Sequence, residues 1–340
     1  MARLLLLLTG GTMLMTPVGD ESRRNVGGAS IALDPWQTER DLVAEVPSLA
    51  RLADTFDTRH VFHMDSANMQ PADWMTIAAV VHEELPRYDG IVVVHGTDTM
   101  AYTASALAMV LGPLPKPVVF TGSQKPIVEP RTDARQNLID AAMVATLNVP
   151  EVMIVNGARA LRGARAIKRD AWGFAAFDSP TLAPLVELGI GISVSSAARA
   201  PSPLAPFDAR LEPRVLALRV FPGLDPALIR AALAAGVRGI VLEAYGTGNV
   251  PMQINSLLPV LDEADARQVP VVVVSQCLRG HVDLGAYEGG AAARAAGVIS
   301  GGEMTVEAAL AKLMVGLGRF GPGEALARYI TTSIVGERSS

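Results

Sequence analysis

Two short turns that join glycine to threonine carry the residues best suited to chemistry. Thr12 follows the apolar run Leu4–Leu8, and Thr97 follows the apolar run Ile91–Val94, with Asp98 directly after it. A buried strand that ends in Gly-Thr delivers a hydroxyl and free backbone N–H groups to the carboxyl edge of a sheet, where open α/β sheets bind their ligands. The two turns therefore predict a pair of threonine hydroxyls that converge on one site.

A lysine is the candidate base for these hydroxyls. The chain has only four lysines, namely Lys116, Lys125, Lys168 and Lys312. Threonine becomes a good nucleophile only when a neighbouring group takes its proton or lowers its pKa, and an ammonium, unlike a guanidinium, can lose its own proton in a protein. A buried group of Thr97, Asp98 and Lys168 would supply a base and a carboxylate that orients it. Two plainer interpretations stay open: Thr97 and Asp98 cap the next helix, and Lys168 lies on the surface.

Two more polar turns follow strand-like runs. Asp65 and Ser66 come directly after His60–Met64, and Ser123 lies in the Thr121–Gln124 turn. Carboxylate and hydroxyl groups in such positions suit the polar ends of a small substrate. The same residue types also form ordinary turns without any function, so both interpretations stay open for each turn.

Strand and helix patterns alternate along the chain, which predicts βαβ units in a mostly parallel sheet. In the first half the strand-like runs are Leu4–Leu8, His60–Met64, Ile91–His95, Val118–Thr121 and Val152–Asn156, and the helical patterns are Thr38–Leu52, Pro71–Leu85, Thr99–Leu111 and Thr132–Leu147. Asp98 has the residue type of an N-cap for the third helix. After residue 213 the alternation resumes, with strand-like or helical runs at Val215–Phe221, Pro226–Ala235, Gly239–Ala244, Met252–Ala266, Val271–Ser275, Thr305–Leu317 and Gly323–Tyr329.

The domain organisation follows from this alternation and from the chain length. At 340 residues the chain is too long for one ordinary core, and the proline- and serine-rich stretch 194–213 has no period. We therefore expect an α/β protein with a larger N-terminal domain, residues 1–193, built on a doubly wound, mostly parallel sheet. A linker, 194–213, would lead to a smaller C-terminal α/β domain, residues 214–340.

The segment 13–35 is a candidate lid over the first threonine. It is rich in glycine, shows little periodicity, and carries Arg23 and Arg24. Structureless loops of this length are uncommon in compact domains and are often functional. The segment is therefore interpreted as a gate, with a mobile surface insertion as the alternative.

The composition argues against several classes of partner. A net charge of −5, without a basic block or acidic tail, favours neither nucleic acid nor a membrane surface as partner. The run Leu4–Leu8 is too short to span a membrane and lacks a cleavage site, so we expect a buried strand there. The single cysteine, Cys277, predicts a cytoplasmic location. His60 and His63 would lie on opposite faces of a strand, so no metal site is expected.

The order of the motifs points to a family. The chain resembles the bacterial asparaginase/glutaminase family, in particular its cytoplasmic, type I-like branch. The matching motifs are Thr9–Thr12 (T-G-G-T), Asp65-Ser66, His95–Met100 (H-G-T-D-T-M), Thr121–Gln124 (T-G-S-Q), Lys168, Tyr245–Asn249 (Y-G-T-G-N) and Ser275-Gln276-Cys277. The resemblance implies a two-domain α/β protein, a homodimer or homotetramer, that hydrolyses the side-chain amide of a small molecule without metal or cofactor.

The resemblance also implies roles for individual residues. Thr12 would be the nucleophile that forms an acyl-enzyme, and Thr97, Asp98 and Lys168 would activate water or the nucleophile. The residues implied in substrate binding are Gly11, Asp65, Ser66, Gly96, Ser123 and Asn249. Of these, Asp65 and Ser66, with Asp98, would hold the α-amino and α-carboxylate groups. Asn249 would reach the site of a neighbouring subunit, and backbone N–H groups around Thr97 would stabilise the oxyanion.

The chain departs from the family pattern in two places. The family has a tyrosine in the lid, whereas the first tyrosine here is Tyr88. Free L-asparagine is the default substrate, and the altered lid makes a modified or peptidyl asparagine-type substrate the competitor, with Arg23 or Arg24 paired to an extra carboxylate. Glu243 stands where allosteric type I relatives have an arginine, so activation by asparagine is expected to be absent.

Two further interpretations stay open. One is an ammonia-donating subunit of a tRNA-dependent amidotransferase, which is disfavoured because the first strand starts the chain and no basic patch is evident. The other is a non-catalytic amino-acid sensor, for which the missing lid tyrosine is the only argument.

Overall fold

The computed structural model describes residues 2–17, 33–34 and 41–339. In the N-terminal part the strands are β1 (Arg3–Gly10), β2 (Thr16–Pro17), β3 (Leu33–Asp34), β4 (Thr55–Met64), β5 (Gly90–Val94), β6 (Val118–Thr121), β7 (Val152–Asn156), β8 (Arg159–Arg162), β9 (Ile167–Lys168), β10 (Phe177–Asp178), β11 (Val186–Leu188) and β12 (Ile192–Val194). The helices are α1 (Leu42–Glu45), α2 (Pro71–Glu84), α3 (Met100–Leu111) and α4 (Ala134–Ala145).

Eight of these strands form one sheet in the order β12-β11-β8-β7-β6-β5-β1-β4. The five strands from β7 to β4 in this order run parallel, and β8, β11 and β12 add antiparallel pairs at the other edge. The expected, mostly parallel α/β sheet is confirmed. The antiparallel strands β8, β11 and β12 were not among the predicted strands.

Helices cover both faces of this sheet. Leu5 and Leu7 pack on the side of α2 and α3, while Leu4, Leu6 and Leu8 pack on the side of α4. Because both faces are buried, every position of β1 from Leu4 to Leu8 must be apolar, which explains the unbroken leucine run.

A second sheet follows residue 214. Its strands β13 (Val215–Arg219), β14 (Gly239–Ala244), β15 (Val271–Ser275) and β16 (Ile299–Ser300) are adjacent in chain order and all parallel. The helices are α5 (Pro226–Ala234), α6 (Leu258–Ala266), α7 (Glu288–Ala295), α8 (Val306–Phe320) and α9 (Glu324–Thr331). Helix α8 joins the two parts, because Met314 and Val315 belong to the same apolar cluster as Leu107 of α3.

The stretch between the two sheets lies on the protein body without forming a helix or strand. The Ser202 backbone N–H donates to the Leu114 carbonyl at 2.9 Å, and the Arg319 guanidinium donates to the Asp208 carbonyl at 3.2 Å. These contacts fix the stretch in place. The proposed linker 194–213, between proposed domains 1–193 and 214–340, begins at the last residue of β12 and otherwise coincides with this stretch.

Two helix predictions were too long, and proline explains both. The pattern Thr38–Leu52 contains, within its described part, a single turn of α-helix at Leu42–Glu45 and a 3-10 helix that begins at Pro47. Proline has no N–H and clashes with the preceding turn, so the α-helix ends before Pro47. The pattern Met252–Ala266 forms a helix only from Leu258, with Pro259 in its first turn, where proline is tolerated.

The prediction that His60 and His63 lie on opposite faces was wrong. Their rings stack with centroids 5.0 Å apart. The register between β1 and β4 shifts after Leu8 and His60, so the strict two-residue alternation of a strand is broken there. No group of residues able to hold a metal ion occurs in the described ranges, and none of the helices described is long and apolar enough to cross a membrane.

Candidate functional site

The two glycine-threonine turns meet at the carboxyl edge of the larger sheet. β1 and β5 are neighbours, with Leu8 opposite Val94, so both turns leave the sheet side by side. Gly11 has a φ of +90°, and a Cβ atom there would lie 2.4 Å from the Gly96 nitrogen. Glycine is therefore required at position 11 for both its backbone angle and its close approach to the second turn. This backbone contact brings Thr12 to the same edge as buried Thr97.

Lys168 joins Thr97 and Asp98 in one cluster. The Lys168 ammonium donates to Thr97 Oγ1 at 2.9 Å and to Asp98 Oδ1 at 2.6 Å. The Lys168 side chain is 18% exposed and that of Asp98 is 61% exposed. The predicted Thr–Lys–Asp arrangement is therefore present in the structure, and the interpretation of Lys168 as an ordinary surface lysine was wrong.

A short hairpin places Lys168. Strands β9 and β10 pair antiparallel, with Lys168 opposite Phe177, whose side chain is fully buried. The buried ring anchors the hairpin in the core of the larger domain. Asp98, in turn, does not cap helix α3 as expected: Thr99 occupies the N-cap position, and its hydroxyl donates to the Ser66 carbonyl at 2.8 Å. The attraction of the nearby ammonium accounts for the different orientation of Asp98.

Gln124 is a further member of the site, to which the motifs of the sequence assigned no role. The Thr97 hydroxyl donates to Gln124 Oε1 at 3.3 Å. Buried Asp133 holds the Gln124 turn, since its carboxylate accepts the Gln124 backbone N–H at 3.0 Å. Burial raises the pKa of Asp133, although the backbone donors oppose this rise. The T-G-S-Q motif indicated this position: Thr121 and Gln124 are its polar residues without an assigned role, and the Thr121 hydroxyl donates to the buried carbonyls of Asn137 and Val155.

His95 is not an acid–base candidate. It is fully buried, and burial lowers its pKa to about 4. Its Nδ1 lies 2.7 Å from the Gly96 carbonyl oxygen, which can only accept, so Nδ1 carries the proton of a neutral ring. His95 thus supports the Gly96 turn that presents Thr97.

Three of the remaining predicted binding residues form contacts within or beside the turns of this sheet edge. Ser66 is buried beside Gly96, where an added Cβ would lie 2.4 Å from Ser66 Oγ. Asp65 Oδ1 accepts the Ala67 backbone N–H at 3.0 Å, so its carboxylate already caps a turn at the same edge. The Ser123 hydroxyl donates to the Lys125 carbonyl within its own turn.

Asn249 lies apart from this cluster. Its backbone pairs with Tyr245 in the smaller domain, where it lines a cavity with Tyr287. Within the described part of the chain, Asn249 forms no hydrogen bond with Thr97 or Lys168. Arg23 and Arg24 lie outside the described residues, as does most of the segment 13–35.

The fold and the cluster together define a two-domain α/β protein with an enzyme-like site at the carboxyl edge of its larger sheet. Two family models match the chain: "Asparaginase, N-terminal" over residues 3–200, and "Glutaminase/Asparaginase C-terminal domain" over residues 214–330. The chain therefore belongs to the asparaginase family, which confirms the resemblance of its motifs.

Individual relatives agree with this assignment. The chain is 41% identical to the L-asparaginase of Thermococcus kodakarensis over 282 residues, which cover 83% of this chain and 85% of the relative. It is also 41% identical to L-asparaginase 1 of Escherichia coli K12 over 284 residues, or 81% and 82% of the two chains. The solved structure of the thermostable L-asparaginase from Thermococcus kodakarensis matches with a TM-score of 0.88 and 37% identity, and covers 99% of each chain.

Proposed function

We propose that this protein hydrolyses the side-chain amide of L-asparagine to aspartate and ammonia through an acyl-enzyme on Thr12. The observation that carries the proposal is the contact of one ammonium, on Lys168, with both Thr97 Oγ1 and Asp98 Oδ1. Substrate binding alone requires no lysine beside a buried threonine hydroxyl. An acid–base pair directed at the substrate requires such a group.

The proposed reaction has two steps. In the first, Thr12 Oγ1 forms a bond to the amide carbon, the C–N bond breaks, and the nitrogen leaves as ammonia with the proton of the hydroxyl. In the second, water adds to the ester carbon, the proton that water releases returns to Thr12 Oγ1 as the bond to Thr12 breaks, and aspartate leaves. Lys168 would exchange a proton with Thr97, so that the Thr97 oxygen can accept a proton from water. Asp98 would orient the lysine and stabilise its charged form.

Backbone and side-chain donors would complete the site. The N–H groups of the Gly96–Thr97 turn would hold the developing oxyanion, and each such donor contributes about 3 kcal/mol in hydrolases. Asp65 and Ser66 lie at the same edge and would bind the α-amino and α-carboxylate groups. Asn249 would act on the site of a neighbouring subunit in a homodimer or homotetramer. The single cysteine supports a cytoplasmic location for this metabolic reaction.

Ammonia release from L-asparagine tests the proposal. We expect turnover by the purified protein, and a loss of at least 100-fold in Thr12→Ala and Thr97→Ala. Thr146→Ala is the matched control, because Thr146 is exposed at the end of α4 and donates only to the nearby Met143 carbonyl. Thermal unfolding shows whether each variant is folded. Absence of ammonia release from the folded wild-type protein would refute the proposed substrate.

A further inference from the structure

A second cavity opens beside the catalytic cluster. It has a volume of about 350 Å³ and lies between the Gln124–Arg131 turn and the loop 171–174. Gln124 lies between this cavity and Thr97. Its side chain accepts the Thr97 hydroxyl at 3.3 Å and donates to the Gly173 carbonyl at 3.3 Å. The cavity therefore begins one side chain away from Thr97, and its volume is that of a small-molecule site.

The cavity wall carries two cations without a carboxylate partner. Lys125 and Arg131 both line it, and neither forms an ion pair within the part of the chain that the structure describes. The Arg131 guanidinium lies 5.0 Å from the centre of the Phe174 ring. This contact orients a planar, bidentate donor without neutralising its charge.

Two carboxylates of the flanking segments, Asp170 and Asp133, do not line the cavity and accept backbone N–H groups instead. Asp170 Oδ1 accepts the backbone N–H groups of Trp172 at 2.8 Å and Gly173 at 3.0 Å. Asp133 is buried beneath the turn and accepts backbone N–H groups there. The described residues that line the cavity thus include two cations and no carboxylate, a lining that suits an anionic ligand.

The loop also holds an aromatic ring at the cavity. Trp172 is 93% exposed, although its backbone is tied down by Asp170 and its neighbour Gly173 is held by Gln124. An ordered loop that presents a large apolar ring to solvent is typical of a binding surface. Tryptophan provides a broad contact for the apolar part of a ligand at low entropic cost.

We propose that this cavity is a subsite for a carboxylate-bearing group on the amide nitrogen of the substrate. The preferred substrate is then an L-asparagine whose side-chain nitrogen carries a carboxyalkyl group. The inference rests on the proposed function. Hydrolysis breaks the same C–N bond, with the hydroxyl of water on the acyl carbon and its proton on the nitrogen, so the leaving group is an amino acid in place of ammonia.

The first test compares two substrates of equal size. N4-(carboxymethyl)-L-asparagine carries the anionic group, and N4-isobutyl-L-asparagine has the same shape without charge. We expect the wild-type kcat/KM to be about tenfold higher for the first, and the double variant Lys125→Gln/Arg131→Gln to lose this preference. Turnover of L-asparagine itself should not change. Arg135→Gln is the matched control, since Arg135 lies in the first turn of α4, four residues after Arg131, and does not line the cavity.

The second test measures binding in Thr12→Ala, which cannot turn the substrate over. The chain has three tryptophans, Trp36, Trp74 and Trp172, of which Trp74 is buried, so binding is followed by fluorescence in a Trp36→Phe background and Trp172→Phe identifies the Trp172 signal. Tighter binding of the carboxymethyl compound, abolished in the double variant, supports the subsite even if L-asparagine is not hydrolysed. Equal binding of both compounds overturns the subsite, even if L-asparagine is hydrolysed.

Discussion

Lys168 and Lys312 both donate to a carboxylate, but the two ion pairs lie in different parts of the molecule and differ in their exposure to solvent. Lys168 faces a hydroxyl and the largely exposed Asp98, and its own side chain is 18% exposed. Lys312 and its partner Glu337 are both 0% exposed. The Lys168 pair is thus accessible from solvent, whereas the Lys312 pair is enclosed by the protein.

The surroundings of Lys312 satisfy all of its donors. Its ammonium donates to the carbonyls of Ile330 and Thr332 and to the carboxylate of Glu337. Burial alone would raise the pKa of Glu337, but the Lys312 ammonium and two backbone N–H groups hold it below its usual range. This pair fastens the C-terminal tail to α8. Lys168 has solvent access and a hydroxyl partner in addition to its carboxylate, which is the arrangement that proton transfer needs.

Lys168→Met gives the largest expected effect. Loss of the group that exchanges a proton with Thr97 should lower kcat for L-asparagine by about 10²–10⁴-fold. The melting temperature should change little, because the partner carboxylate of Asp98 is mostly exposed. Ammonia release and thermal unfolding measure the two quantities on the same preparation. A variant that keeps wild-type kcat would show that the lysine has no role in turnover.

Lys312→Met should have the opposite profile. It leaves the Glu337 carboxylate buried without its cation, which costs about 3–5 kcal/mol of unfolding free energy. The kcat per folded molecule should remain near the wild-type value. Urea unfolding measures the loss. The double variant Lys312→Met/Glu337→Leu is the control, since it removes both charges and should recover part of the stability. If the single variant is as stable as the double one, the buried charge is not the cause.

Buried His95 should make the stability of the folded protein depend on pH. Its pKa falls from 6.5 to about 4 on folding, so the unfolded chain binds more protons between these values. Stability is therefore expected to decrease as the pH falls through this window, by about 3 kcal/mol in total. Urea unfolding at several pH values gives the slope. His95→Asn keeps a donor for the Gly96 carbonyl but cannot titrate there, and identical slopes in both proteins would exclude His95 as the source.

Gln124→Met gives the smallest expected effect. It removes the acceptor of the Thr97 hydroxyl, and a single neutral hydrogen bond contributes about 1 kcal/mol. We expect kcat for L-asparagine to fall about five-fold, while KM changes little. Gln268→Met is the matched control, since Gln268 is exposed in the turn after α6. Equal kinetics in the two variants would remove Gln124 from the catalytic cluster.

Much of this architecture could be predicted from the sequence, because the signals are local. The leucine run of β1, the alternation of strands and helices, and the glycine-threonine turns each depend on a few consecutive residues. The glycines and Thr12, Thr97, Asp98 and Lys168 were named from residue type and motif order. Their common location follows from the rule that parallel strands end at one sheet edge.

The features that could not be predicted depend on contacts between distant segments. Gln124 acquires its role only because the loop 170–173 packs against it, and Asp98 leaves the helix cap because Lys168 arrives from 70 residues away. The stacking of His60 on His63 follows from a register shift that no alternation of residues indicates. Lys312 was noted as one of four lysines, but its burial depends on a tail that lies 25 residues further along the chain.

The identity of the nucleophile is the central claim, and rapid acid quench of a turnover mixture with L-asparagine tests it most directly. Peptide mass mapping should find an aspartyl ester on Thr12, absent from Thr12→Ala and more abundant in Lys168→Met if deacylation is the slower step there. An ester on Thr97, or turnover by Thr12→Ala at the wild-type rate, would contradict the account.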